Sequence, residues 1–378
     1  MPSRRRVLAT TGALGAAALA GCDAVRDDGP TDDDYPEGVR VRAGWPAPNR
    51  DDANTRAARD GNALESPKRA ATLPGRAGTT AADGRVFAAL KSGVRAYDVT
   101  GERRWSAPGL DDAPPRVLDG TVYAPHPEDP LVRGYDAATG EVTATYDLPA
   151  RAVTSPVWNN GRDRFAVALA DGRVAGVATD RDATWTGDPW GSVNALAVNM
   201  GSVVAATDTG EVYVYGTDGS PAWRAILDAT DLVAPVVGDE RLYVAGWDGT
   251  IRALDRTDGT PVWTRERGFV ETPLALDGPR LYHGLGDLRA YDTATGATLW
   301  SYAPDATVRC APAVVGDTVY VGRTDGALVA LDRADGTERW TLDLGRYVGP
   351  AVAATDGAVY ARGRTDDGRS ATFVVTDG

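Results

Sequence analysis

The chain has 378 residues, a formal net charge of −13, 43% hydrophobic residues and two cysteines. That length can bury a large core. The acidic balance, with Lys68 and Lys91 the only lysines, excludes the basic face of a nucleic-acid binder, and two cysteines exclude a disulfide framework or thiolate metal cluster.

Residues 1–22, MPSRRRVLATTGALGAAALAGC, have a basic start, an apolar stretch and small residues before Cys22. They read as an export signal, too short and too rich in Gly and Ala for a spanning helix. Ser3-Arg4-Arg5-Arg6-Val7-Leu8 resembles a twin-arginine signal with Val7 in place of the usual Phe. Leu19-Ala20-Gly21-Cys22 resembles a lipobox, which implies lipidation of Cys22 and anchoring to the outer face of the cytoplasmic membrane. Residues 23–38 are acidic and rich in Gly and Pro, and read as a solvated tether of roughly 20–25 Å. Asp in excess, with Arg in place of Lys, resembles proteins of extreme halophiles, in which salt screens self-repulsion.

Residues 39–378 read as one domain. Val39–Trp45 (VRVRAGW) has the alternation of a strand ending in Trp. From Tyr97 onward one phrase recurs seven times, most clearly at Ile251–Trp263, Leu288–Trp300 and Leu328–Trp340, with end points 37 to 41 residues apart. A fixed period near forty marks a supersecondary unit that buries its core against its neighbours. The unit ending at Trp340 divides into four apolar runs, 312–315, 318–322, 327–332 and 337–342, separated by Gly-Asp or Asp-Gly pairs. Such pairs between short β-branched runs signal hairpins, so each repeat is expected to be a four-stranded antiparallel propeller blade. Gly336 suits a turn position of positive φ, Asp332 a turn acceptor, and Trp340 a large apolar surface for the next blade.

The pattern Ala-x-Asp-x-x-x-Gly-x-x-x-Trp resembles the tryptophan-docking motif of β-propellers related to pyrroloquinoline-quinone (PQQ) enzymes. Ala253, Asp255, Gly259 and Trp263 match it, as do Ala290, Asp292, Gly296 and Trp300, and Ala330, Asp332, Gly336 and Trp340. The copy ending at Trp185 has Gly176-Val177-Ala178 where Ala-x-Asp is expected, and the copy ending at Ala144 lacks its Trp. Trp45-Pro46, followed by Asp51-x-x-Asn54-Thr55, resembles a start common in secreted members. After Trp340 the chain supplies three more strands and no Trp strand, so Val39–Trp45 is expected to complete an eighth blade. The expected fold is all-β: an eight-bladed propeller of four-stranded antiparallel blades, closed by an N-terminal strand.

The resemblance does not bring a recognisable active site. There is no Cys-Cys pair, and no funnel set of Glu, Asn and Asp stands out. Arg309 and Arg323 supply positive charge for a quinone's carboxylates, with Glu271 the only clear acidic candidate beside them. His126 and His283 are the only histidines and no Gly-x-Ser-x-Gly is present, so no Ser-His-Asp triad is built. Cys310 reads as a small buried residue. In an up-and-down blade, turns between second and third strands share a face with the blade-to-blade connections. That face carries Trp190, Trp247, Phe269, Glu271, Arg309, Arg323 and Tyr347, the expected binding face. The expected function is a non-catalytic, exported, lipid-anchored monomer, without cofactor or metal, binding a protein partner at the cell surface. The resemblance implies two precedents, the bacterial outer-membrane assembly lipoprotein of the same fold and secreted propellers of salt-loving archaea. A polysaccharide or small-ligand binder and a quinoprotein dehydrogenase are the alternatives.

Overall fold

Short runs of Val, Ala, Tyr and Leu between Gly-centred turns cannot bury both faces of one long sheet, and they form eight small ones instead. The computed structural model describes residues 50–378, apart from 52–53, 60, 75–78, 83, 91–92, 99, 111–112, 181–182, 200 and 269–271. Blades 1 to 7 follow in chain order, beginning at Thr79, Arg116, Val157, Val193, Val236, Ala275 and Ala313. Within each, four antiparallel strands run from the inside of the ring outward. The unit ending at Trp340 has strands Ala313–Val315, Thr318–Gly322, Ala327–Asp332 and Glu338–Asp343, within one residue of the runs read from the sequence.

The docking motif has a repeated geometry. Its Ala lies opposite the Trp on the outer strand, as in Ala253↔Trp263, Ala290↔Trp300 and Ala330↔Trp340, and the register shifts immediately after it. The Trp then reaches the next blade. Trp105, Trp185, Trp223, Trp263 and Trp300 donate Nε1–H to the carbonyls of Ala137, Thr217, Arg256, Thr293 and Arg333 at 2.9–3.1 Å. Each ring also covers the motif Gly of that blade. A Cβ on Gly336 would stand 2.5 Å from Trp300 Cε3, and φ there is 78°. Gly176 in the divergent copy has a similar cause, because a Cβ there would lie 2.0 Å from Trp185 Nε1. Blade 2, without its Trp, is sealed by another cluster: Tyr146 meets Phe165 edge-on at 5.2 Å, and buried Trp158 meets Tyr123 at 4.8 Å.

Blade 8 consists of Tyr347–Thr355, Ala358–Arg364 and Ser370–Asp377, with an N-terminal strand outermost. That strand is Pro67–Pro74, paired from Pro67↔Asp377 to Pro74↔Ala371, and not Val39–Trp45 as the Trp pattern led us to expect. Val39–Trp45 lies outside the described residues, and the outer position is already filled along its length. Both prolines sit at the ends of an edge strand, where no ladder donor is lost. Trp340 makes its docking bond to Leu64 O at 2.8 Å, so the N-terminal segment takes the place of a next-blade turn.

Candidate functional site

Of the seven residues expected to form the binding face, five are described, and they fall into two groups by blade. Trp190 and Trp247 belong to blades 3–5. Arg309, Arg323 and Tyr347 belong to blades 6–8. Phe269 and Glu271 lie outside the described residues.

Trp190 stands on the connection between blades 3 and 4. Its backbone N–H donates to Tyr213 Oη at 2.9 Å and its carbonyl accepts from Thr209 Oγ1 at 2.9 Å. Ser192 N–H donates to Asp208 Oδ1, and a Cβ on Gly191 would lie 2.4 Å from that same oxygen, so this connection is pressed onto the blade 4 turn. Beneath it, Tyr213 donates to buried Glu211, which also accepts Nε and Nη2 of Arg224 at 2.9 and 2.7 Å. Burial alone would raise the Glu211 pKa, but the bonds from Arg224 and Tyr213 outweigh it and hold the carboxyl below its ordinary value. The backbone is therefore fixed while the indole of Trp190 remains 72% exposed.

The strip continues toward blade 5. Leu227 N–H donates to Gly210 O, Asp231 N–H to Asp208 O, and Trp247 N–H to Thr230 O at 3.0 Å. Arg252 holds Asp248 and the carbonyl of Asp228. Trp247 is 48% exposed, and Ile226, at the end of the blade 4 outer strand, 70%. Asp188, Asp228, Asp231 and Asp248 lie within five residues of Trp190, Ile226 or Trp247 in the chain, and Asp208 bonds the Trp190 connection.

The second group centres on Gly349. A Cβ there would lie 2.7 Å from Tyr347 Oη and 2.8 Å from Arg309 O, and Val348 N–H donates to Arg323 O. Arg309 is exposed and Tyr347 half-buried. The guanidinium of Arg323 is committed to Asp325 and to Tyr302 Oη at 3.3 Å, which raise its pKa above the ordinary Arg value. Among the described residues no three His, Cys, Asp or Glu side chains converge to hold a metal. The Arg323 charge is thus already paired with Asp325, and Glu271, the acidic candidate for the same mouth, lies outside the described residues.

The histidines and Cys310 have structural surroundings. His283 is fully buried, with Nε2 3.1 Å from Thr272 Oγ1, and burial followed by the charge of Arg267 brings its pKa down to about 3. His126 Nδ1 accepts the Asp129 N–H in its own turn. Cys310 is buried, and burial pushes its thiol up to about 11.

The sequence reading missed the inside of the ring. Asn54, Thr55 and Arg56 lie in the central channel as a finger, and Ala57–Ala58 pairs with the inner strand of blade 7 as the chain leaves it. Asn54 and Arg56 both have positive φ, 59° and 54°. Beside this finger lies a polar cavity of about 620 Å³, lined in part by Arg50, Asp51, Asn199, Asp239, Glu240 and Arg241. The available signal was Asp51-x-x-Asn54-Thr55, which resembled a family start but had no physical assignment.

Comparison with known proteins agrees with this architecture. An outer membrane protein assembly factor BamB of Bordetella pertussis is 26% identical over 278 residues, which is 71% of this chain and 66% of that protein. A polyvinylalcohol dehydrogenase of Sphingopyxis is 26% identical over 78% of this chain but only 43% of its own length. The crystal structure of the quinohemoprotein alcohol dehydrogenase of Comamonas testosteroni superposes with a TM-score of 0.69 at 14% identity, covering 89% of this chain and 81% of that one, a likeness of fold alone. The PQQ-like propeller family described as outer membrane protein assembly factor BamB matches residues 90–199, 170–284 and 284–378, and with blades, docking tryptophans and ring closure in agreement, the chain belongs to that family.

Proposed function

We propose that this protein is a non-catalytic envelope propeller that binds a protein partner through the strip from Trp190 to Trp247. One observation carries the reading: two exposed indoles stand on loops whose backbones are fixed by hydrogen bonds. Rigid, exposed Trp, with Tyr and Arg beside it, supplies binding energy at low entropic cost. The acidic border favours a partner segment that presents apolar side chains among Lys or Arg. In this reading residues 1–22 direct export, Cys22 carries the lipid anchor, and residues 23–38 hold the propeller off the membrane, extending the domain scheme in which 39–378 is the propeller. The assembly-factor names of the relatives support a partner-binding role. Their dehydrogenase counterparts favour a second reading, a quinoprotein dehydrogenase, against which the committed Arg323 argues.

The test uses the anchored protein cross-linked in its own membranes and affinity-purified. A specific partner should be captured by the wild type and lost from the Trp190→Ala/Trp247→Ala variant, with an unchanged melting temperature because both indoles are exposed. An identical set of captured proteins from the variant would sink the strip as the docking surface. Stoichiometric, calcium-dependent PQQ binding with dye reduction on an alcohol would instead establish the dehydrogenase reading.

A further inference from the structure

Within its own four strands, a blade's inner strand has no neighbour toward the axis, so a propeller channel is lined by backbone groups that the blades themselves leave unpaired. Here the finger satisfies them across five consecutive blades. Asn54 Nδ2 donates to Leu196 O of blade 4 at 3.0 Å and to Pro235 O, at the start of blade 5, at 2.8 Å. Thr55 O accepts the Leu276 N–H of blade 6 at 2.7 Å. Arg56 Nε donates to Pro312 O of blade 7 at 2.7 Å, and its Nη2 donates to Val352 O of blade 8. Ala57–Ala58 then pairs in parallel with Val314–Val315. Asp51 organises the turn by accepting the Thr55 amide at 2.8 Å and the Thr55 hydroxyl.

The contacts depend on side-chain type. The channel offers carbonyl acceptors on adjacent blades, and it is met by an amide and a guanidinium, the two side chains with several divergent donors. Arg56 is 1% exposed, and its backbone is left-handed, which an isolated chain disfavours at a residue with a Cβ. Such a conformation persists only where its surroundings over-determine it.

We propose that the central channel is a peptide-recognition site for donor-rich segments of the pattern Asp-x-x-Asn-Thr-Arg, occupied in this chain by its own Asn54, Thr55 and Arg56 with Asp51 bracing the turn. The site is separate from the Trp190 strip and from ring closure, which begins beyond it at Leu64. Segments carrying the same string in trans, including one from a second copy, are ligands of the same chemistry.

Cys310 reports occupancy. Its Sγ donates to Ala311 O at 3.3 Å, the same carbonyl that Arg56 Nη2 approaches at 3.4 Å, so the fingertip and the thiol share one buried acceptor. The experiment uses the full chain with Cys22→Ala, leaving Cys310 the sole thiol, and follows its reaction with an aromatic disulfide under native conditions. The parent should react only at its global unfolding rate. Asn54→Ala and Arg56→Ala should each react at least about ten-fold faster, because a lost buried hydrogen bond raises the open population. Arg56→Lys should also react faster, since one ammonium cannot span two blades. In a chain with residues 51–56 replaced by Gly and Ser, a synthetic peptide of residues 50–59 should restore protection, and the same peptide with Ala at 54 and 56 should not. Equal protection by both peptides, or an unreactive Cys310 in the Gly/Ser chain, would overturn the proposal. If that chain does not fold, parent-like reaction rates in Asn54→Ala and Arg56→Ala would overturn it alone.

Discussion

At the residue scale, the docking motif couples a backbone requirement to a packing requirement at one glycine. Gly336 needs positive φ for its turn and has no room for a Cβ beneath Trp300. Gly120 isolates the first requirement, since its φ is 71° but nothing lies within 4 Å of a Cβ built there. Gly120→Ala is therefore expected to cost only the left-handed backbone term, about 1–2 kcal/mol. Gly336→Ala should cost more, because Trp300 must leave its position on Tyr282 and release Arg333 O. Trp300→Ala, which removes the ring, should cost about 3–5 kcal/mol. Chemical denaturation at fixed high salt measures all three, and equal losses for the two glycine variants would show that the ring adapts freely.

At the element scale, the closing strand holds blade 8 and the ring together. Pro67–Pro74 covers the edge of Ser370–Asp377, and Leu64 receives the Trp340 bond and donates its N–H to Tyr320 Oη at 2.7 Å. Removing residues 1–49 should leave the melting temperature nearly unchanged. Removing residues 1–74 takes away the finger, the closing strand and the Trp340 acceptor together, and should lower it sharply or leave the protein unfolded. Thermal melts of the two truncations decide this, and a small loss for the longer one would show that the ring closes without an N-terminal strand. The contrast also explains what the sequence made legible. Blades were readable because Asp-Gly turns and the Ala, Gly and Trp of each repeat act over about thirty to forty residues and recur. The closing strand was misplaced because Pro67–Pro74 carries no Trp and its partner lies about 300 residues away. The finger was invisible for the same reason: Asn54 meets Leu196 across 142 residues and Arg56 meets Val352 across 296, with no periodic pattern to announce either contact. Among the expected binding residues, Trp190 and Trp247 are exposed on loops, as their sequence positions suggested. The bonds that fix their loops, Tyr213 with Glu211 and Arg224 under Trp190 and Thr230 O under Trp247, required the fold.

At the scale of the whole molecule, stability should depend on pH in two separable windows. His283 is buried and neutral, its pKa lowered from 6.5 to about 3 by burial and by Arg267. The unfolded chain binds a proton there near pH 6.5 and the folded chain does not. This contribution is therefore complete above pH 6.5 and is lost as pH falls toward 3. For a shift of this size the loss is on the order of a few kcal/mol. Asp248 and Asp287 define the lower window. Burial opposes their ionisation, but bonds from Arg252 to the first and from Arg289 and Arg267 to the second hold both below the ordinary 3.8. Their contribution is present above that value and disappears below it. With salt held high to screen the net charge of −13, the melting temperature should begin to fall below pH 6.5 and fall more steeply below pH 4. His283→Asn keeps a polar group beside Thr272 without a titrating ring. It should flatten the profile between pH 6.5 and 4 while leaving the lower drop in place. Calorimetric melts of both proteins across this range test the assignment, and an undiminished slope in the variant would mean that other groups set the upper window.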